Sequence, residues 1–396
     1  MALCERAIMS SVDPIVIAAA ARTPLGRYLG ALSPQPAHAL GATAIRAVLS
    51  RAGLDPALVD EGLMGNVLPA GQGQAPARQA LRGAGLPDAV GATTVNKVCG
   101  SGMKATMLGH DLLRAGSADV VIAGGMEAMS NAPYLLARAR TGYRAGHDRL
   151  IDHMMLDGLE DAYEPGRSMG DFGEAAAEAY QFSREDQDAY AIETLTRARR
   201  AIEEGAFRAE IVPVGEVDTD EHPLKVKPER IPSLKPAFRP DGTITAASAS
   251  ANADGAAALL LTRRSTAEKL GLPMLAEIRA HAAHSQEPAW YTTAPIPAIR
   301  KLLERAGWSI GDVDLFEINE AFAVVPMAAA KDLSIPRDIL NIHGGACALG
   351  HPIGATGARI IVTLLHALQR HGLKRGVASL CIGGGEATAI AIERIH

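Results

Sequence analysis

Apolar residues along the chain alternate between two spacings. The unbroken run "PIVIAAAA" (14–21) has the length of a buried strand. By contrast, "AIRAVLSRAGLDPALVD" (44–60) reads as an amphipathic helix, a Gly break, a turn and the start of a strand. That pattern returns far downstream as "AIRKLLERAGWSIGDVD" (298–314), identical at nine of seventeen positions without a gap. The echo continues: "CGSGMK" (99–104) parallels "GATGAR" (354–359), and "VIAGGMEA" (121–128) parallels "LCIGGGEA" (380–387). In each half a Gly-rich turn opens a helix that leads to an apolar strand ending in glycines, so the pattern predicts a duplicated α/β fold.

Between the repeats the composition shifts. The segment contains "LLARARTGYRAGHDRL", a charged helix beginning "SREDQDAYAIETLTRARRAIEEG" and a Pro-rich basic stretch, "HPLKVKPERIPSLKPAFRP". Ser183 and Asp186 fit a capping box for the helix, whose charged face is most simply solvated. "SANADGAAALLLT" (250–262) then returns to buried structure, which places the insertion within the first half. The expected organisation is 1–128 with 251–275 as the first half, 129–250 as the insertion, and 276–396 as the second half.

Composition narrows the class. Of 396 residues 48% are apolar but only 4% aromatic, and 40 are glycine, which suits tight helix-to-sheet layers. A formal net charge of −5 argues against general nucleic-acid binding. No apolar run is long enough for a membrane span, and the acidic flank of the first apolar run, with Glu5 and Asp13, is a poor signal-peptide n-region. Cys4, Cys99, Cys347 and Cys381 lack CxxC spacing, so free thiols in a reducing compartment are expected, with the cytoplasm as the location.

Four stretches could carry chemistry. Cys99 in "NKVCGSGMKA" (96–105) faces a helix N-terminus, whose N–H groups and dipole favour a thiolate, and its glycines would let a substrate approach the backbone. A buried structural cysteine is the competing reading. His351 in "NIHGGACALGHPIGATGAR" (341–359) occupies the block equivalent to that of Cys99, so a pseudo-twofold arrangement would bring imidazole to thiol. Cys381 in "SLCIGGGEATAI" (379–390) ends an apolar strand ahead of glycine amides. It could move a proton while those amides bind an oxyanion. A Cys99/Cys381 disulfide and a zinc site made with His351 are alternatives, although close ligand pairs are absent. "FEINEAFAV" (316–324) is expected to expose Asn319 and Glu320 at a turn, where Asn could cap a helix or hold a water. Cys347 and Cys4 have no expected catalytic role.

Taken together, "NKVCGSG", "NEAFA", "GHPIGATGAR" and "CIGGG" resemble the motifs of the thiolase family in order, over nearly the whole chain. The resemblance implies a thiolase-like fold of two βαβαβαββ-type halves, layered α/β/α/β/α, with a loop-domain insertion. It implies that Cys99 is acylated by a thioester, that His351 takes its proton, and that His351 and a water on Asn319 form one oxyanion hole. Cys381 would move the α-proton, and the N–H groups of Cys99 and Gly383 would form the second hole. The implied reaction is reversible Claisen condensation of acetyl-CoA, or thiolysis of a 3-oxoacyl-CoA. It needs no metal or redox cofactor, because the coenzyme A thioester is itself the substrate. Ser250, Ala246, Phe322 and Met169 would line the substrate site, and Lys225, Lys227, Arg230, Lys235 and Arg239 offer charge for coenzyme A phosphates. A homodimer or homotetramer is implied, with residues 129–150 as a candidate contact. Departures from the family pattern are "ASASA" (247–251) in place of GNASG, Ser168 where His is common, Tyr291 where Met is common, and Glu386 with Ala387 where Met-Gly is frequent. They bear on acyl chain length and coenzyme A affinity.

Overall fold

The computed structural model describes residues 13–395; Cys4 and Glu5 lie outside the described residues. The first half runs β1 (Ile15–Arg22), α1 (Ala37–Ala52), β2 (Glu61–Gly65), α2 (Pro76–Gly83), β3 (Gly91–Val95), α3 (Ser101–Ala115) and β4 (Val120–Ala128). After the insertion, which contains α4 (Met169–Tyr180) and α5 (Arg184–Glu203), it resumes with β5 (Ala253–Arg263). The second half runs β6 (Ala276–Ser285), α6 (Pro295–Ala306), β7 (Leu315–Ile318), α7 (Val324–Leu333), α8 (Ile353–Arg370), β8 (Arg375–Ile382) and β9 (Glu386–Arg394).

The strand order is β7-β8-β9-β6-β1-β5-β4-β2-β3. The two half-sheets meet edge to edge, where Val16 and Ile17 of β1 pair antiparallel with Glu277 and Ala276 of β6. In the first half β3 and β4 flank β2 in parallel. In the second half β8 lies parallel to β7, while the counterpart of β3 shrinks to a single bridge between Phe316 and Leu340.

Alternation along these strands sends apolar side chains to both faces, which is why they read as continuous apolar runs. In β4, Val120, Ile122 and Met126 join the cluster under α1 and α2, whereas Val121 and Ala123 face the central layer. In β8, Val377 and Cys381 pack toward α6 and α7, while Ala378 and Leu380 face inward. The central layer is α3 and α8, packed on each other and held between the two half-sheets. Their N-terminal turns touch because both lack a side chain at the crossing. A Cβ on Gly102 would lie 2.8 Å from Ala358 N, and one on Gly357 would lie 2.3 Å from Met103 N.

That reciprocal contact fixes the pseudo-twofold register and corrects one element of the sequence alignment. Val121 sits opposite Glu61 on β2 as Gly376 sits opposite Leu315 on β7, so the strand equivalent of Val121 is Gly376 and not Leu380. The glycine clusters that suggested the other match arise for different reasons. Gly124 and Gly125 lie inside β4 against neighbouring backbone, whereas Gly383, Gly384 and Gly385 form the turn between β8 and β9.

The insertion is tied to β1 by buried ion pairs. Arg22 of β1 is wholly buried, with a bidentate contact to Asp220 at 2.7 and 2.8 Å and a third bond to Glu210 at 2.5 Å. α5 starts with the expected capping box: Ser183 Oγ accepts from Asp186 N at 3.1 Å, and Asp186 Oδ2 accepts from Ser183 N at 3.0 Å. Within residues 129–150, Tyr134, Leu136, Tyr143 and Leu150 are exposed. No helix among the described residues is long and apolar enough to cross a membrane.

Candidate active site

Cys99 sits in the turn between β3 and α3. Asn96 Oδ1 accepts from Val98 N at 3.0 Å, while Ser101 Oγ accepts from Lys97 N at 2.8 Å and donates to Val98 O at 2.7 Å. These bonds force Val98 to φ +43°, an uncommon conformation for a β-branched residue. The outcome is a sulfur facing two backbone donors, its own N–H and that of Gly383. The residue keeps some exposed surface, yet burial of the sulfur pushes the thiol up to about 11. The two N–H groups oppose that shift and Glu127 adds to it. Desolvation outweighs the helix N-terminus, so the thiol must lose its proton to a base during reaction. The glycines also play another part than expected, since Gly100 packs on Ile382 and Gly102 on α8.

Cys381, at the end of β8, is fully buried, and its thiol lies well above the ordinary value because of burial and then the nearby Cys99. Tyr291 is close to both sulfurs. Its hydroxyl donates to Met169 O at 2.9 Å, and its ring meets Phe172 edge to face at 6.4 Å. Met169 Sδ in turn lies 3.4 Å from where a Cβ on Gly383 would stand. Cys99, Cys381, Gly383, Met169 and Tyr291 thus form one group. Cys99, Cys347 and Cys381 are free thiols.

His351 precedes the first turn of α8. Its N–H donates to Ala251 O at 2.8 Å, and its Nδ1 lies 2.7 Å from Thr356 Oγ1. The Thr356 hydroxyl donates to Pro352 O at 3.0 Å, so it accepts from Nδ1–H and leaves the Nε2 lone pair free. That Nε2 is buried without a partner. Burial, with Arg359 adding to it, pushes the imidazole down to about 3, so it is a neutral base.

This shift has a measurable consequence. Unfolded His351 binds its proton near the ordinary 6.5, whereas the folded residue does so only near 3, so acidification through that window favours the unfolded chain. We expect His351→Asn to weaken the pH dependence of stability by about 1.4 kcal/mol per pH unit across the upper part of that window. Urea midpoints for parent and variant provide the measurement, and parallel curves would contradict the assignment.

Asn319 follows β7. The sequence suggested an exposed turn, but Asn319 and Glu320 are both buried, and Tyr190 and Thr194 of α5 cover Glu320. Glu320 accepts from Tyr190 Oη, Thr194 Oγ1 and Asn341 Nδ2, each at 2.9 Å, and from Cys347 N at 3.1 Å. Asn319 is not a helix cap, since α7 begins only at Val324. Its Oδ1 and Nδ2 are both buried and unpartnered, which points to a water or ligand between them.

Phe322 is buried against Phe238, edge to face at 5.6 Å. Ser250 N donates to Ala321 O at 3.0 Å, and Ala323 N donates to Ser248 O at 2.8 Å. The "ASASA" loop is therefore fixed to both the Asn319 and His351 turns by backbone bonds, which a changed side chain does not remove. Ala246 is exposed on the same loop. Lys225, Lys227, Arg230 and Lys235 are exposed, while Arg239 bonds to Asp171 O at 2.8 Å. Sequence reasoning missed Thr356 and Glu127. The buried Glu127 carboxylate accepts from Asn66 Nδ2 at 2.7 Å, Val67 N at 2.9 Å, Leu68 N at 3.2 Å and Gly354 N at 2.9 Å, fixing the His351 turn from the opposite half. Among the described residues the compact His/carboxylate grouping is His110, Asp111 and His281, where both imidazoles meet Asp111 Oδ1; Cys99, Cys381 and His351 do not form such a grouping.

Comparison with known proteins gives the family. Residues 15–265 match the thiolase N-terminal domain and residues 272–394 the thiolase C-terminal domain. The chain is 49% identical to an acetyl-CoA acetyltransferase of Pseudomonas aeruginosa, covering 97% of this chain and 100% of that one. It is also 49% identical to acetyl-CoA acetyltransferase 2 of Arabidopsis thaliana, with coverage of 97% and 98%. The Acat5 thiolase of Ascaris suum, solved in complex with coenzyme A, superposes with a TM-score of 0.93 at 40% identity over 96% of this chain and 100% of that chain. With two family domains spanning nearly the whole chain, this chain belongs to the thiolase family.

Proposed function

We propose that the chain condenses two acetyl-CoA molecules to acetoacetyl-CoA and free CoA, and runs the reverse thiolysis, through an acyl-cysteine at Cys99. In the first half-reaction His351 Nε2 takes the Cys99 proton and the sulfur attacks the thioester carbonyl. The N–H groups of Cys99 and Gly383 receive the developing oxyanion, and the CoA thiolate leaves with the proton from His351. In the second, the Cys381 thiolate removes the α-proton of another acetyl-CoA, whose enolate oxygen is held by His351 and a water on Asn319. The enolate carbon attacks the acyl carbonyl and expels the Cys99 thiolate, which takes that proton from Cys381, so both sulfurs return to their starting states. Cysteine and imidazole carry every transfer, so the reading requires no metal or redox cofactor.

The observation that carries this reading is the convergence of two backbone N–H groups on the Cys99 sulfur beside a second thiol. The similarity to proteins named acetyl-CoA acetyltransferase supports the acetyl group, and the coenzyme A complex of the Ascaris protein supports the carrier. Exposed Lys225 and Arg230 would meet its phosphates. Free thiols suit cytoplasmic residence, and the apolar side chains exposed within residues 129–150 suit a homo-oligomer.

Tyr291, Met169 and Phe322 crowd the acyl end, which favours short chains. Thiolysis measured from acetoacetyl-CoA upward should therefore show kcat/KM falling roughly tenfold or more once several methylenes are added. Rates that stay level or rise with length would instead establish a longer-chain 3-oxoacyl-CoA thiolase.

A further inference from the structure

The two catalytic turns are held by the opposite halves in different ways. On the His351 side, Glu127 reaches across from the end of β4 and accepts from Gly354 N at 2.9 Å. By the strand register, the equivalent of Glu127 in the second half is Ile382, whose side chain meets Gly100 in the Cys99 turn. The nucleophile turn thus faces an apolar side chain where the histidine turn has a hydrogen-bonding carboxylate. It is also the turn with the uncommon Val98 conformation.

A different carboxylate reaches it. Glu386, at the start of β9 and one of the departures from the family pattern, forms an ion pair through Oε2 with Lys97 Nζ, two residues before the nucleophile. Its Oε1 accepts from Ser285 Oγ of β6 at 3.0 Å, so the carboxylate is oriented by its own half before it meets Lys97. Both side chains are partly buried. Lys104 is the other cation acting on Glu386.

We propose that the Lys97/Glu386 pair is a positioning device that pins the Cys99 turn to the second half and aligns its sulfur with the Gly383 N–H. Neither residue touches the reacting atoms. The pair acts through the turn, whose Lys97 N–H to Ser101 Oγ bond leads directly to α3. This rests on the acyl-cysteine reading above.

The test separates alignment from electrostatics and from general loosening. Glu386→Gln leaves the Lys97 charge uncompensated two residues before the nucleophile, so an electrostatic role alone would raise Cys99 reactivity. Alignment predicts that kcat for acetoacetyl-CoA thiolysis and the single-turnover rate of Cys99 acylation both fall about tenfold. KM should stay within roughly twofold, and iodoacetamide alkylation, which needs no oxyanion hole, should not slow. The reversed pair Lys97→Glu with Glu386→Lys should recover most of the loss. Unchanged acylation in Glu386→Gln would overturn the proposal, as would acylation, alkylation and melting temperature falling together without recovery in the reversed pair. If the parent itself is never acylated at Cys99, the acyl-cysteine reading fails rather than the clamp alone.

Discussion

Cys99→Ala is expected to lower kcat in both directions by about 10⁴-fold or more while the chain remains folded. Removing the sulfur deletes the atom that both backbone donors serve and leaves no side chain to take its place. The structural cost is small because the α3/α8 contact rests on Gly102 and Gly357 and not on the thiol. Initial rates of acetoacetyl-CoA cleavage, read beside a melting curve, check it. Turnover within a few fold of the parent would remove Cys99 from the chemistry.

Cys381→Ala has the second largest expected effect, and it divides the reaction. Burial and the neighbouring Cys99 hold the Cys381 thiol far above its ordinary range. Acylation occupies the Cys99 sulfur, which leaves Cys381 as the thiol beside it that can move the α-proton of the incoming carbon nucleophile. The variant should form acyl-enzyme from acetyl-CoA at near the parental rate, releasing one CoA per site. Condensation should fall by about 10² to 10⁴-fold, the usual contribution of a positioned proton-transfer group. A burst of CoA without acetoacetyl-CoA is the signature. Loss of the burst itself would mean that Cys381 serves acylation and not α-proton transfer.

Cys99, His351 and Cys381 were legible because each lies beside a glycine-rich turn at the end of a regular element. Duplication then paired the turn of Cys99 with that of His351. The α/β alternation was likewise local, since strands buried on both faces and helices with one apolar side leave different spacings. Contacts made across the molecule were not legible. Nothing near Glu127 indicates that it reaches Gly354 in the opposite half, and nothing near Glu320 shows that Tyr190 and Thr194 of α5 bond to it. The same holds at Cys99: a helix N-terminus is visible in sequence, but the burial that raises its thiol is not. The third repeat block misled because glycines within β4 and glycines in the β8 to β9 turn look alike in one dimension, although one set admits backbone and the other reverses the chain.

The central claim is that Cys99 carries the acyl group. Peptide mass spectrometry after acid quench of the enzyme with acetyl-CoA tests it most directly. An acetyl group on the peptide containing Cys99, lost on addition of free CoA, is predicted. Acetylation elsewhere, or steady turnover with Cys99 unmodified at every time point, would contradict it.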